Sequence, residues 1–325
     1  MAFPSSYSDI LATTIESRSR TIADNVTNNN AILKKLSMKG AIDTFSGGSQ
    51  ILQELSFAEN SNAGWYSGYD LLPVGVSDVI SAAHYDIKQA AVPVVISGLE
   101  QLKNTGKEQM IDLMKARLKV AESTLSNLIS TGLYSNGLGA SGKQITGLDA
   151  AIPENPATGT YGGIDRSAYP FWRNQIVDAA TATPATLGSF MNSLWAQQVR
   201  GSDMPDLIMC DNRFWENYQA SLQAQQRFTQ ADVGELGFPS IKYQSADVIL
   251  DGGIGGACPQ GTAFFLNTDY IHYRPHAKRN MVPLSPDRRY STNQDAEVQI
   301  LAWAGNLTTS GAQFQGRIFN VPAVA

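Results

Sequence analysis

The chain has 325 residues, enough for one large domain or two ordinary ones, and is 43% hydrophobic but only 16% charged, against a usual charged share of about 25%. A formal net charge of −5 has the wrong sign for a protein that grips DNA by displacing counterions with Lys and Arg. No apolar run approaches the ~18 residues of a membrane span, and two cysteines outside any CxxC pair, Cys210 and Cys258, exclude a disulfide framework.

Residues 1 to about 35 are polar, with Ile10, Leu11, Ile15 and Ile22 spaced for one short amphipathic helix. They lack a basic stretch followed by an apolar core, so no secretory leader is expected. The sequons at Asn25 and Asn306 then carry no meaning. Residues 40–97 read as extended. In 48–57, Ile51, Leu55 and Phe57 alternate with Gln50, Glu54 and Ser56, the two faces of a strand. Residues 58–64 are a turn by composition, and a second arm ends in the β-rich run Ala91–Ile96. Between the arms, Trp65, Tyr66 and Tyr69 lie in a Gly-punctuated loop. An isolated two-stranded excursion is marginal in water, so this one calls for a partner surface.

A long helix is predicted over 105–131. Thr105 and Glu108 form its capping box, Gly132 ends it, and its apolar face carries Met110, Leu113, Met114, Leu118, Ala121, Leu125, Leu128 and Ile129. Residues 134–170 are a Gly/Ser/Pro/Thr-rich connection. Thr183 and Pro184 open a helix bearing Leu187, Phe190, Met191, Leu194 and Trp195. Residues 205–210 read as a buried strand, and Asp211 caps a helix with Trp215, Tyr218 and Leu222. Strands follow at 241–250 and 262–273, and 296–304 with 312–319 reads as a C-terminal β-hairpin.

No constellation for chemistry emerges. GLGASGKQ (137–144) matches G-x-G-x-x-G, but phosphate binding needs a strand before the loop and a helix after it, and Gln144 stands where a magnesium-binding hydroxyl belongs. DGGIGGA (251–257) reads as a hairpin loop. His272 and His276 flank Tyr-Arg-Pro and lack further ligands, and His84 is isolated. G-x-S-x-G is absent, and Asp9 with Glu16, or Asp247 with Asp251, share no arguable pocket. No catalytic residue, metal or cofactor is assigned, and an enzyme is not expected.

The stretches TGTYGGIDRSAYPFWRN (158–174), GGSQILQEL (47–55), YSGYDLL (66–72) and PDLIMCDNRFWENY (205–218) together resemble, in this order and with the long helix between them, the major capsid proteins of tailed bacteriophages with the Hong Kong phage capsid fold. The resemblance covers most of the chain. It implies an α+β fold in four parts: an N-terminal arm (1–38), an extended β-hairpin loop (39–97), a peripheral domain with a long spine helix (98–174 and 286–325), and an axial α/β domain (175–285). It implies self-assembly into hexamer and pentamer capsomers of an icosahedral head that encloses double-stranded DNA without sequence-specific binding. It also implies a virion protein assembled in the bacterial cytoplasm, with a portal, a separate scaffolding protein and a decoration protein as possible partners. Trp65, Tyr66 and Tyr69 become candidate anchors on a neighbouring subunit, with packing inside their own loop as the alternative. Asp232, Val233, Gly234 and Glu235 become candidate contacts at the five- or sixfold axis. Some relatives cross-link through a lysine near the loop tip; 40–87 holds no lysine, so no such cross-link is expected. The rival readings are an encapsulin-type compartment shell of the same fold and an α+β enzyme.

Overall fold

The extended segment folds back on itself as a β-ribbon. The computed structural model describes residues 31–103, 113–224, 240–253, 256–284, 289–290 and 295–324. In it, β1 (Gln50–Ser56) pairs antiparallel with β2 (Ile80–Asp86), Gln50 opposite Asp86 and Ser56 opposite Ile80. The alternation holds: Ile51 and Leu55 are buried, while Gln50, Glu54 and Ser56 are exposed. Phe57 stacks on Phe171 at 5.7 Å between ring centres.

The run Ala91–Ile96 is not the second arm of this ribbon. It belongs to β3 (Lys88–Ser97), which leaves the ribbon at Ile87 and pairs along its whole length with β14 (Ala296–Thr309). β14 is the spine of a five-stranded sheet that also contains β11 (Ile271–Pro275), β12 (Val282–Pro283) and β13 (Arg289–Tyr290). The reason is burial: Val94 and Ile96 find cover on this sheet that a two-stranded ribbon cannot give.

The long helix, α3 (Leu113–Leu133), follows the short helix α2 (Gly98–Lys103) and packs on β3 and β14. Ala121, Leu125, Ile129 and Leu133 face the core, whereas Leu128, expected on the same face, is about half exposed. The Thr105–Glu108 box lies outside the described residues. The helix runs through Gly132, where a Cβ would approach Ile145 to 3.1 Å; the left-handed turn glycine is Gly137, at φ +78°.

A six-stranded sheet lies beside these elements, in the order β6 (Gln175–Asp178), β15 (Gly316–Phe319), β10 (Ala263–Leu266), β7 (Leu207–Cys210), β9 (Ala246–Leu250), β8 (Ser240–Tyr243). β6–β15 and β7–β9 are parallel, and the other pairs antiparallel. Every residue of β7 and β10 is buried, as expected where both sheet faces are covered. On one face, Ile208, Cys210, Ala263 and Phe265 meet α4 (Leu187–Gln198) and α5 (Asn212–Ala224) through Met191, Leu194 and Phe214. On the other, Leu207, Met209, Phe264 and Leu266 join the core formed by α3 and the five-stranded sheet. Period-two alternation along two central strands thus splits the interior into two cores. The helix–strand–helix unit α4–β7–α5 is as expected, and the Asp211 carboxylate accepts from the Phe214 N–H at 3.0 Å as the α5 cap.

Several local expectations fail for topological reasons. β14 and β15 do not form a hairpin, because β14 is flanked by β3 and β11 while β15 is taken up between β6 and β10. Residues 241–250 and 262–273 are two strands each, the first pair turned at Gln244 with φ +51°. The loop at 251–257 is not a hairpin loop, since β7 separates β9 from β10. At Thr183, the carbonyl accepts from Leu187 N–H at 2.9 Å and the Thr186 hydroxyl accepts from Thr183 N–H at 2.9 Å, so Thr183–Thr186 is a lead-in turn and regular helix starts at Leu187. The helix α1 (Ala31–Met38), with Ile32 and Leu36 buried, lies at the end of the stretch described as a polar arm, beyond the helix expected at Ile10–Ile22. The expected helix around Ile10–Ile22 lies outside the described residues.

Candidate inter-subunit surface

The residues weighed for chemistry do not converge. His84 sits in β2, while His272 and His276 are in and just after β11. The His272 imidazole is 3.4 Å from the Asp43 carboxylate; burial, with Arg274 nearby, pushes its pKa down against the pull of Asp43. Asp247 pairs with Lys35 at 3.2 Å, and Asp251 accepts from the buried Tyr134 hydroxyl, so the two do not act as a pair. Burial raises the Asp251 carboxyl above its ordinary range and the Cys210 thiol well above its own. At 137–144, the chain follows a helix and makes a left-handed turn at Ala140 and Ser141, where phosphate binding would need a strand and then a helix. Among the described residues no group of three or more His, Cys, Asp or Glu could hold a metal ion, and no helix is long and apolar enough to cross a membrane.

The feature that stands out is the ribbon tip, residues 57–79. Trp65 and Tyr69 are fully exposed, and Tyr66, Leu71, Leu72, Val74 and Val76 are also exposed. The alternative of packing within their own loop is therefore not what Trp65 and Tyr69 do. What orders the tip is polar and local. The Asn62 amide donates to Gly75 carbonyl at 2.6 Å, Ser61 meets Ser77, and Ser67 N–H donates to the Asp70 carboxylate at 2.8 Å. Exposed apolar patches on monomeric proteins are often interaction sites, which makes the tip the candidate surface. The valines and leucines of the tip escaped the sequence reading, although their signal is present: apolar residues in a segment with Gly and Pro at every few positions and no strand period.

The ribbon root, in contrast, is firmly built. Asn306, fully buried on β14, donates to Asp86 carbonyl at 2.9 Å and accepts from Thr146 N–H at 3.0 Å. Arg274 donates to the Gln53 side chain at 2.9 Å, and Lys88 to Gly142 carbonyl at 2.7 Å. The Tyr85 hydroxyl donates to Thr309 carbonyl at 3.0 Å, and burial raises its pKa well above the ordinary value. The segment 158–174, with the short antiparallel pair β4 (Thr160–Tyr161) and β5 (Ile164–Asp165), forms a cradle beneath β2. Gly162 carbonyl accepts from His84 N–H at 2.8 Å, and a Cβ on Gly162 (φ +59°) would come within 3.0 Å of Ala83. Trp172 donates to Tyr161 carbonyl at 2.9 Å, and the buried Arg166 guanidinium donates to the carbonyls of Ala150, Ala151 and Trp172. Asp232, Val233, Gly234 and Glu235, between α5 and β8, lie outside the described residues.

No family model and no curated protein matches the chain. Solved structures do. The capsid asymmetric unit of cyanophage A-1(L) matches with a TM-score of 0.70 at 16% identity, over 94% of this chain and 97% of that one. The capsid of a native GTA particle matches at TM-score 0.65 and 12% identity, over 100% of both chains. The SrpI encapsulin of Synechococcus elongatus PCC 7942 matches at TM-score 0.60 and 9% identity, over 99% and 96%. The fold is therefore the α+β Hong Kong phage capsid fold, with extended ribbon, long helix and mixed α/β unit, shared along the whole chain with capsid subunits.

Proposed function

We propose that the chain is a major capsid protein, the repeating subunit of an icosahedral bacteriophage head that encloses double-stranded DNA. The observation that carries this reading is the end-to-end match to capsid subunits, 94% against 97% and 100% against 100% of the two chains. The ribbon supports it independently. A protrusion that exposes Trp65, Tyr66 and Tyr69 and has no core beyond its root is completed by a second copy. Residues 1–38 then act as an arm and 39–97 as the extended loop. Residues 98–174 and 286–325 form the peripheral domain, from which β15 crosses into the sheet of the axial domain, 175–285. Asp232, Val233, Gly234 and Glu235 are the axial contacts. The partners are further copies, a separate scaffolding protein, a portal, a decoration protein where the head has one, and DNA held without base contacts. Assembly takes place in the bacterial cytoplasm. Function is assembly: many weak, symmetric contacts multiplied by closure. The net charge of −5 keeps DNA from sticking to the inner wall.

The encapsulin-type shell is the second reading, favoured by the match at TM-score 0.60. The test is to express the chain with and without its candidate scaffold, then measure particle size by negative-stain microscopy and nucleic-acid content by absorbance in particles from the native source. DNA-filled icosahedral shells are expected. Protein-filled, DNA-free shells would favour the encapsulin reading, and a small discrete oligomer under every condition would remove both. Boiling shells in denaturant should return intact monomer, since residues 40–87 hold no lysine and Lys88 is engaged at the root; a ladder would contradict this.

A further inference from the structure

The ribbon is one-signed. Between residues 40 and 87 the chain has Asp43, Glu54, Glu59, Asp70, Asp78 and Asp86 and not one Lys or Arg. At the tip, Glu59, Asp70 and Asp78 are exposed beside the exposed aromatics. A surface that receives this tip must therefore offer cations next to apolar space.

Among the described residues, a place of this kind lies at the chain's own ribbon root. The turn after β11, His276–Arg279, is fixed across β14 by His276 N–H to Ala304 carbonyl and Ala304 N–H to Arg279 carbonyl, both 2.8 Å. Its His276 ring meets Phe45 edge-on at 5.0 Å, and Lys278 N–H donates to the His276 imidazole at 3.1 Å. This rigid turn holds Lys278 and Arg279 exposed side by side, and among the described residues neither makes an ion pair. Next to them Ile87, Gln89, His276, Arg279 and Ala304 line a cavity of about 330 Å³. The depression is open to solvent on one side, so an aromatic side chain can lie in it with one face left for a partner to cover. The tip of the same chain does not occupy it: Trp65 and Tyr69 touch nothing.

We propose that the acidic, aromatic ribbon tip of one copy docks on the cationic turn His276–Arg279 and the cavity beside it on a second copy. The proposal deepens the shell reading and rests on it. Charge fixes register and partner choice, with the aromatics supplying buried area. Packaged DNA is the competing anion, and it is a separate outcome of the test.

The test is a charge swap read by shell yield. Three variants are compared with the unaltered chain: K278E with R279E, E59K with D78K, and all four substitutions together. Shells are counted by sedimentation and negative-stain microscopy across a salt series, and far-ultraviolet circular dichroism checks that each subunit folds. Each pair of reversals should lower shell yield by at least about tenfold at low salt, because like charges are brought together, and the fourfold variant should restore it to within about threefold. Wild-type yield from either reversal, or no restoration in the fourfold variant, overturns the docking. Normal yield with reduced DNA retention in K278E/R279E overturns it too and makes DNA the occupant. If the unaltered chain forms no shells with or without its candidate scaffold, the shell reading fails and not the docking alone.

Discussion

The ribbon tip and the β7–β10 pair are built from the same apolar and aromatic residue types, placed in opposite surroundings. In Leu207–Cys210 and Ala263–Leu266 every side chain is buried, and alternate residues serve two different cores. Beyond Phe57, which stacks on Phe171, the aromatic and aliphatic side chains of the tip from Trp65 to Val76 are exposed, and short polar bonds shape the loop. Apolar residues in the first region supply the folding free energy of the subunit. In the second they are held back from folding and remain available for association, where buried area contributes only when a partner covers it.

The largest effect that can break this contrast comes from truncating one aromatic in each region. Phe265→Ala should destabilise the isolated subunit by about 3–5 kcal/mol, because the ring is fully buried between β7, α4 and α5. Trp65→Ala should leave subunit stability within about 0.5 kcal/mol while lowering shell yield sharply. Denaturant unfolding of the unassembled subunit, with particle counts on the same samples, separates the two. A Trp65→Ala subunit that unfolds as easily as Phe265→Ala would erase the distinction.

A middle-sized effect sharpens where the boundary lies. Asn306→Ala should cost about 2–4 kcal/mol, since it leaves Thr146 N–H and Asp86 carbonyl without their buried partner at the ribbon root. Asn62→Ala removes a shorter bond at the exposed tip, 2.6 Å to Gly75, and should change subunit stability by no more than about 0.5 kcal/mol. Limited proteolysis should reach the ribbon of the Asn306 variant faster while the β7–β10 region stays protected.

How much of this was legible beforehand depends on the range of the signal. The strand face of Ile51 and Leu55, the Asp211 cap and the α4–β7–α5 unit follow from local period and capping, and the structure keeps them. Strand partners are non-local. Ala91–Ile96 reads equally well as a ribbon arm or as the neighbour of β14, and 296–319 reads as a hairpin until β10 and β6 are seen to claim β15. The tip aromatics Trp65 and Tyr69 were conspicuous by type, but the cationic turn at Lys278 and Arg279 was not. Two adjacent basic residues are common on any surface, and only their placement across β14 beside a cavity gives them meaning.

The smallest effect is a pair of pH dependences of opposite sign. At the ribbon root, His272 is held below its ordinary pKa of 6.5, first by burial and further by Arg274, with Asp43 opposing. The folded state therefore binds fewer protons than the unfolded chain in the window below pH 6.5, so this group favours folding above the window and loses that contribution as pH falls. At the end of β9, burial holds the Asp251 carboxyl above its ordinary 3.8, despite the hydrogen bond from Tyr134. The folded state keeps a proton that the unfolded chain has released, so stability is lost as pH rises through the window above 3.8. His272→Gln should accordingly gain on the wild type as pH falls below 6.5, and Asp251→Asn, whose amide oxygen still accepts from Tyr134, should gain as pH rises above 3.8. Urea midpoints of the unassembled subunit across this range give both slopes. Parallel slopes would mean that the root and the sheet end do not set their titrating groups in opposite ways.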